Sequence, residues 1–187
     1  IASCLVGSEM CIRDSISKKP TGTLVLDDLN PGKHLYLLST GTGLAPFMSV
    51  IQDPETYERF EKVILVHGVR YVNEVAYREF ITQHLPQNEF FGEAVKEKLI
   101  YYPTVTREPF ENQGRLTDLM RSGKLFEDIG LPPINPQDDR AMICGSPSML
   151  DETSEVLDSF GLKISPRMRE PGAVSYTHLR AHETRGN

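Results

Sequence analysis

His34-Leu35-Tyr36-Leu37-Leu38-Ser39-Thr40-Gly41-Thr42-Gly43-Leu44-Ala45-Pro46 is the stretch that decides the fold. Its first seven residues form a short apolar run, bounded by Pro31-Gly32 in front and Gly41-Thr42-Gly43 behind, and such a run reads as a buried strand. Leu44 to Ile51 then takes helical spacing, and Pro46 is tolerated in a first helical turn. A glycine turn between a strand and a helix lets backbone approach a phosphate closely. The helix start adds free N–H groups and a partial positive charge. The pattern G-x-G-x-x-P lacks the third glycine of the usual dinucleotide fingerprint, so on its own it fits a tight structural turn equally well. Its place between strand and helix favours a pyrophosphate.

Outward from this unit the alternation continues. Lys62 to Gly68 (KVILVHG) is a second strand, Val72 to His84 has helical spacing through Val75, Phe80 and Ile81, and Leu99 to Thr106 (LIYYPTVT) is a third strand despite Pro103. Leu116 to Met120 starts a short helix. Ala141 to Gly145 (AMICG) is a fourth strand, Pro147 to Phe160 is a helix stopped by Gly161, and Leu162 to Met168 (LKISPRM) is expected as the fifth strand. Strands alternating with helices require right-handed crossovers, so the expected fold is α/β: a doubly wound, five-stranded parallel sheet. Ligands bind such sheets at the carboxyl ends of the strands.

Four segments are expected. Residues 33–172 form the nucleotide-binding domain, and residues 16–32, with the strand and turn of Ile16 to Leu29, read as the remnant of a preceding domain. Residues 1–15 and 173–187 carry no sustained period and resemble translated adapter sequence, foreign or disordered and outside the fold. In the tail, His178 and His182 stand four apart beside Glu183, but two histidines without further ligands do not make a metal site.

Composition narrows the function. With 20 Lys and Arg against 26 Asp and Glu, the net charge of -6 argues against nucleic acid as a partner. No apolar run of about 18 residues suggests a bilayer span, and no signal-peptide pattern opens the chain. Three cysteines, Cys4, Cys11 and Cys144, imply no disulfide framework. A cytoplasmic protein without membrane association is expected.

The chemistry-bearing residues follow the strand ends. Where NAD sites place an acid for the adenosine ribose, the second strand ends in His67-Gly68-Val69-Arg70, and arginine suits the 2′-phosphate of NADP. Arg107 in Val105-Thr106-Arg107-Glu108 and Arg115 in Gln113-Gly114-Arg115-Leu116 follow the third strand. Three arginines in these positions suggest a phosphate clamp, since guanidinium binds phosphate oxygens in pairs. Glu74 is expected inside a helix as a solvated surface acid. Cys144-Gly145-Ser146-Pro147 ends the fourth strand; a lone Cys144 is most often a small core residue, its place before a glycine at the strand's carboxyl end also permits contact with a nicotinamide ring, and no His or Asp has a motif-defined position beside it that would make it a nucleophile.

Gly-Thr-Gly-Leu-Ala-Pro, His-Gly-Val-Arg, Val-Thr-Arg-Glu, Gly-Arg-Leu-Thr and Cys-Gly-Ser-Pro-Ser-Met, in this order, closely resemble bacterial ferredoxin–NADP+ reductases over about Ile16 to Gly172. The resemblance implies that Gly41, Thr42 and Gly43 line the pyrophosphate and nicotinamide, with Thr40 and Gly145 at the same site. Arg70, Arg107 and Arg115 would hold the 2′-phosphoadenosine end, with Thr106 in support, and Cys144 would border the nicotinamide. It further implies hydride exchange between NADPH and FAD, with single electrons passing to or from ferredoxin or flavodoxin. Family members carry FAD on an antiparallel β-barrel with an Arg-x-Tyr-Ser motif. That motif is missing here, so this chain is expected not to retain FAD and to hold only the barrel's last strand, in Ile16 to Leu29. Two other readings remain open: the reductase part of an oxygenase or flavohaemoglobin, and a nucleotide-binding module with no redox role.

Overall fold

The computed structural model describes residues 24–163 and 171–178. Five strands form one parallel sheet: β1 (His34–Thr40), β2 (Lys62–Val69), β3 (Leu99–Val105), β4 (Asp139–Gly145) and β5 (Val174–His178), in the order β3-β2-β1-β4-β5. Side chains alternate across each strand, and both faces are covered. Leu35, Leu37, Val63, Leu65 and Met142 pack with α1 (Leu44–Val50), α2 (Pro54–Arg59) and α3 (Gly92–Lys98) through Phe47, Tyr57 and Val95. On the other face, Tyr36, Leu38, Ile64, Val66 and Ile143 meet α4 (Leu116–Arg121), α5 (Lys124–Ile129) and α6 (Pro147–Ser159). The strand order reverses direction between β1 and β4, and a crevice opens there at the carboxyl ends.

The first four strands fall where the apolar runs predict, with small shifts of their ends. β4 begins two residues earlier, at Asp139, because its polar start is anchored. Asp139 Oδ1 lies 2.8 Å from His34 Nδ1 on β1, and the buried Arg140 donates to the carbonyls of Asn30, Pro31 and Pro136. Pro103 is accommodated because β3 is the sheet edge, where a missing N–H goes unused. Gly161, at φ +86, closes α6.

Two expectations are corrected, and a third falls largely outside the described residues. The fifth strand of the described sheet is Val174–His178; of the expected segment Leu162 to Met168, residues 164–168 lie outside the described part, and Leu162 is a buried residue after the helix stop. The strand therefore sits in the tail expected to be outside the fold. Val174 pairs with Ala141 and is fully buried in the α4–α6 core. The run Val174-Ser175-Tyr176-Thr177 has the β-branched and aromatic content of a strand, and an edge position asks for little more than backbone pairing. Second, residues 72–84 do not make one helix. A 3₁₀ turn at Val72–Glu74, a π-helical turn at Phe80–His84 and a 3₁₀ turn at Leu85–Gln87 succeed one another, interrupted by Tyr77 at φ +59. Third, of the expected strand Ile16 to Leu29 only residues 24–29 are described. They hold a 3₁₀ turn, Leu26–Asp28, with Leu26 and Leu29 buried against the α1–α3 side and Leu29 bridged to Gly172.

Candidate functional site

At the crevice a cleft of about 670 Å³ is built from the ends of four strands. Thr40, Gly41 and Thr42 line it after β1, Gly68 to Arg70 after β2, Thr106 and Arg107 after β3, and Gly145 to Met149 after β4. Close packing requires glycine at two of these joints. A Cβ on Gly43 would stand 2.1 Å from the carbonyl oxygen of Cys144, and one on Gly145 would stand 2.7 Å from Thr40 Oγ1. Glycine at both positions lets the β1 turn press against the end of β4. Gly41 is required for another reason: it has φ +52, in the left-handed region.

Ladder continuation aligns the arginines. Thr106 N–H donates to the Val69 carbonyl and Arg107 N–H to the Arg70 carbonyl, so the β2–β3 pairing runs on past the strand ends. The following loop folds back on β3: Val105 N–H donates to Asn112, Gly114 N–H to Val105, and Thr104 Oγ1 to the Gly114 carbonyl. Arg107 therefore leaves the sheet and Arg115 returns to it beside the same cleft. Arg107 lies 5.7 Å from the Tyr71 ring centre and donates to its hydroxyl at 3.1 Å. Arg115, at the start of α4, faces Glu152 on α6 at 3.9 Å.

Glu74 differs from its expected role. It is not in a helix and it lines the cleft; its carboxylate accepts the N–H groups of Arg70 at 2.9 Å and Tyr71 at 3.1 Å. Those backbone bonds, Tyr71 first and then Arg70, hold its carboxyl below the usual range, helped by the charges of Arg70 and Arg107. Glu108 accepts the next N–H, from Val72. Tyr71 and Glu74 bond reciprocally as a capping pair does, but with tyrosine in place of the usual Ser or Thr the sequence carried no such signal.

Of the expected site residues, Thr40, Gly41, Thr42, Arg70, Thr106, Arg107, Arg115 and Gly145 line the cleft. Gly43 is buried beneath it. Cys144 is not at its surface: alternation along β4 sends its side chain, with that of Met142, into the α1–α3 core, where burial raises the thiol pKa. Sequence reasoning missed Glu74, Thr117, Ser146, Ser148 and Glu152 in the lining. It also missed His67, which is buried on β2 with Nε2 3.1 Å from the Gly41 carbonyl. Among the described residues no cluster could hold a metal ion, and no helix is long and apolar enough to cross a membrane.

This architecture has clear relatives. Residues 37–155, more than half of the chain, match the oxidoreductase NAD-binding domain model. A ferredoxin–NADP reductase of Azotobacter vinelandii is 85% identical over 84% of this chain and 61% of its own length. A flavodoxin/ferredoxin–NADP reductase of Escherichia coli is 30% identical over 87% of this chain and 63% of its own. A crystal structure of a ferredoxin–NADP+ reductase from Neisseria gonorrhoeae, with bound FAD and NADP, superposes with a TM-score of 0.71 at 28% identity, covering 84% of this chain and 61% of that one. The chain thus spans about three-fifths of the length of the curated relatives it matches. By the family match and the glycine turn at the sheet's reversal point, the chain belongs to the oxidoreductase NAD-binding domain family, with ferredoxin–NADP reductases among its relatives.

Proposed function

We propose that this chain is the NADP(H)-binding domain of a ferredoxin–NADP+ reductase that works in the cytoplasm with ferredoxin or flavodoxin as electron partner. The observation that carries the proposal is the convergence of Arg70, Arg107 and Arg115 on one cleft above the Gly41–Gly43 turn. The cleft suits a dinucleotide in volume and chemistry: glycine backbone and the α6 start, with Ser146 and Ser148, line it together with the guanidinium groups. Bound NADPH supplies a hydride to the flavin of the complete enzyme. The residues of this domain bind and orient. Arg70 and Arg107, held in ladder register, meet the 2′-phosphate from one wall, and Arg115 meets it from the α4 side. Thr106 stiffens the strand end through its hydroxyl on the Val69 carbonyl at 3.3 Å. Gly43 lets the turn seat against β4 at the nicotinamide end. Cys144 supports that end from below through its backbone, not through its thiol.

Calorimetric titration of the chain with NADP+ and NAD+ tests the proposal. Clear preference for NADP+ is expected, and equal affinity for the two would overturn it.

A further inference from the structure

We propose that His67 is a positioning residue for the nucleotide site: by donating to the Gly41 carbonyl it fixes the Gly41–Thr42 peptide plane and aims the Thr42 N–H into the cleft.

His67 stands at the end of β2, on the face that carries Val63 and Leu65, and only 1% of it is exposed. Its Nε2 lies 3.1 Å from the Gly41 carbonyl oxygen. A carbonyl only accepts, so Nε2 carries the proton and Nδ1 is left as a bare lone pair. Among the described residues no partner reaches Nδ1. A polar ring buried with one nitrogen unsatisfied is unfavourable for stability alone, which points to the other nitrogen's contact as the reason it is there.

That contact acts on the one peptide of the turn that can most easily rotate. Gly41 has φ +52 and a Cβ placed on it would meet nothing within 4 Å, so neither its conformation nor its neighbours restrain it sterically. The Gly41 carbonyl accepts from His67 and from the Leu44 N–H. With one donor from β2 and one from the helix start, the carbonyl is fixed in direction and held to the sheet by His67. The peptide is trans, so the N–H of Thr42 points the opposite way, toward the cleft that Gly41 and Thr42 line. A rotated plane would instead present a carbonyl dipole to the phosphate and repel it. The inference rests on the reading of the cleft as a nucleotide site and adds what keeps its phosphate end in order.

The test compares ligands with and without a pyrophosphate on the full chain. His67→Leu removes the donor, whereas His67→Gln keeps an N–H at similar reach. Calorimetry should show His67→Leu weakening NADP+ about tenfold, the worth of one hydrogen bond to a charged ligand, with His67→Gln recovering most of it. Binding of 2′-AMP, which has the 2′-phosphate and no pyrophosphate, should change less than about twofold in both variants. Equal losses for NADP+ and 2′-AMP, or no loss for either, would overturn the assignment. If His67→Leu does not fold, the wild-type chain still decides: ¹⁵N spectra of its histidines should show His67 protonated on Nε2, and protonation on Nδ1 would overturn it. NAD+ separates this inference from the reading it rests on, since NAD+ has the same pyrophosphate. A wild type without NADP+ preference would remove the arginine clamp, yet His67→Leu should still weaken NAD+.

Discussion

The Arg107 N–H donates to the Arg70 carbonyl at 3.0 Å, so two arginines 37 positions apart in the chain stand side by side at the carboxyl edge of the sheet. The backbone ladder, not a carboxylate partner, sets their spacing. Replacing Arg107 with Ala should therefore leave the fold intact and weaken NADP+ by about 10- to 100-fold, the worth of a charged hydrogen bond. NAD+ should barely respond. Titration at two salt concentrations checks the assignment further, because the NADP+ preference of exposed guanidinium groups should shrink as salt rises. Equal losses for both nucleotides would assign Arg107 to the fold.

Two glycines of one turn should answer differently to alanine. Gly43 has an ordinary helical φ, but its Cβ would overlap the Cys144 carbonyl at 2.1 Å, so the turn and β4 must separate. Gly41 has open space and pays only for its left-handed backbone, about 1–2 kcal/mol. Urea unfolding should show Gly43→Ala as the more destabilising change. The reverse order would mean that β4 yields easily at this joint.

The tail strand should matter to stability. Val174 is fully buried against Ala141 and the α4–α6 core, so Val174→Ala should cost about 1–3 kcal/mol, read from the shift of the urea midpoint. A chain ended after Gly172 should lose more, since the pairing with β4 goes with it. An unchanged midpoint in both would show that β5 adds nothing to the folded state.

Cys144 should be chemically silent in the native protein. Its side chain is completely buried and burial raises its pKa, so thiolate is scarce near neutrality. Iodoacetamide treatment at pH 8, mapped by peptide mass spectrometry, should leave Cys144 unmodified until denaturant is added. Rapid native labelling would mean that the end of β4 opens to solvent.

His67 gives the fold an acid-sensitive component. Burial lowers its pKa below the ordinary histidine value of about 6.5, which the unfolded chain approaches. The unfolded state then takes up the proton first, so this contribution is fully present above pH 6.5 and is lost as pH falls toward the folded value. Unfolding midpoints measured from pH 7.5 to 5.5 should fall in the wild type and fall less in His67→Gln. Identical slopes would place the acid sensitivity elsewhere.

The sequence by itself determined the alternation of apolar runs with glycine and proline stops, and hence four of the five strands, the helices that follow the first, third and fourth of them, and a parallel α/β sheet. These signals are local: Tyr36 and Leu38 against Leu35 and Leu37, or Gly161 after α6, state their roles within a few residues. Strand ends also showed where Arg70, Arg107 and Arg115 belonged. The tertiary structure alone decided the rest, because it depends on which residues meet across the sheet. Edge strand β5 is defined by pairing with β4, which its short run does not announce. Glu74 becomes a loop anchor through backbone N–H groups exposed only by the turn after β2. Cys144 and His67 both stand near strand ends, and nothing in the sequence says where either side chain is turned. One is turned into the apolar core, and the other is turned under the glycine loop, by the register that sets β1 between β2 and β4.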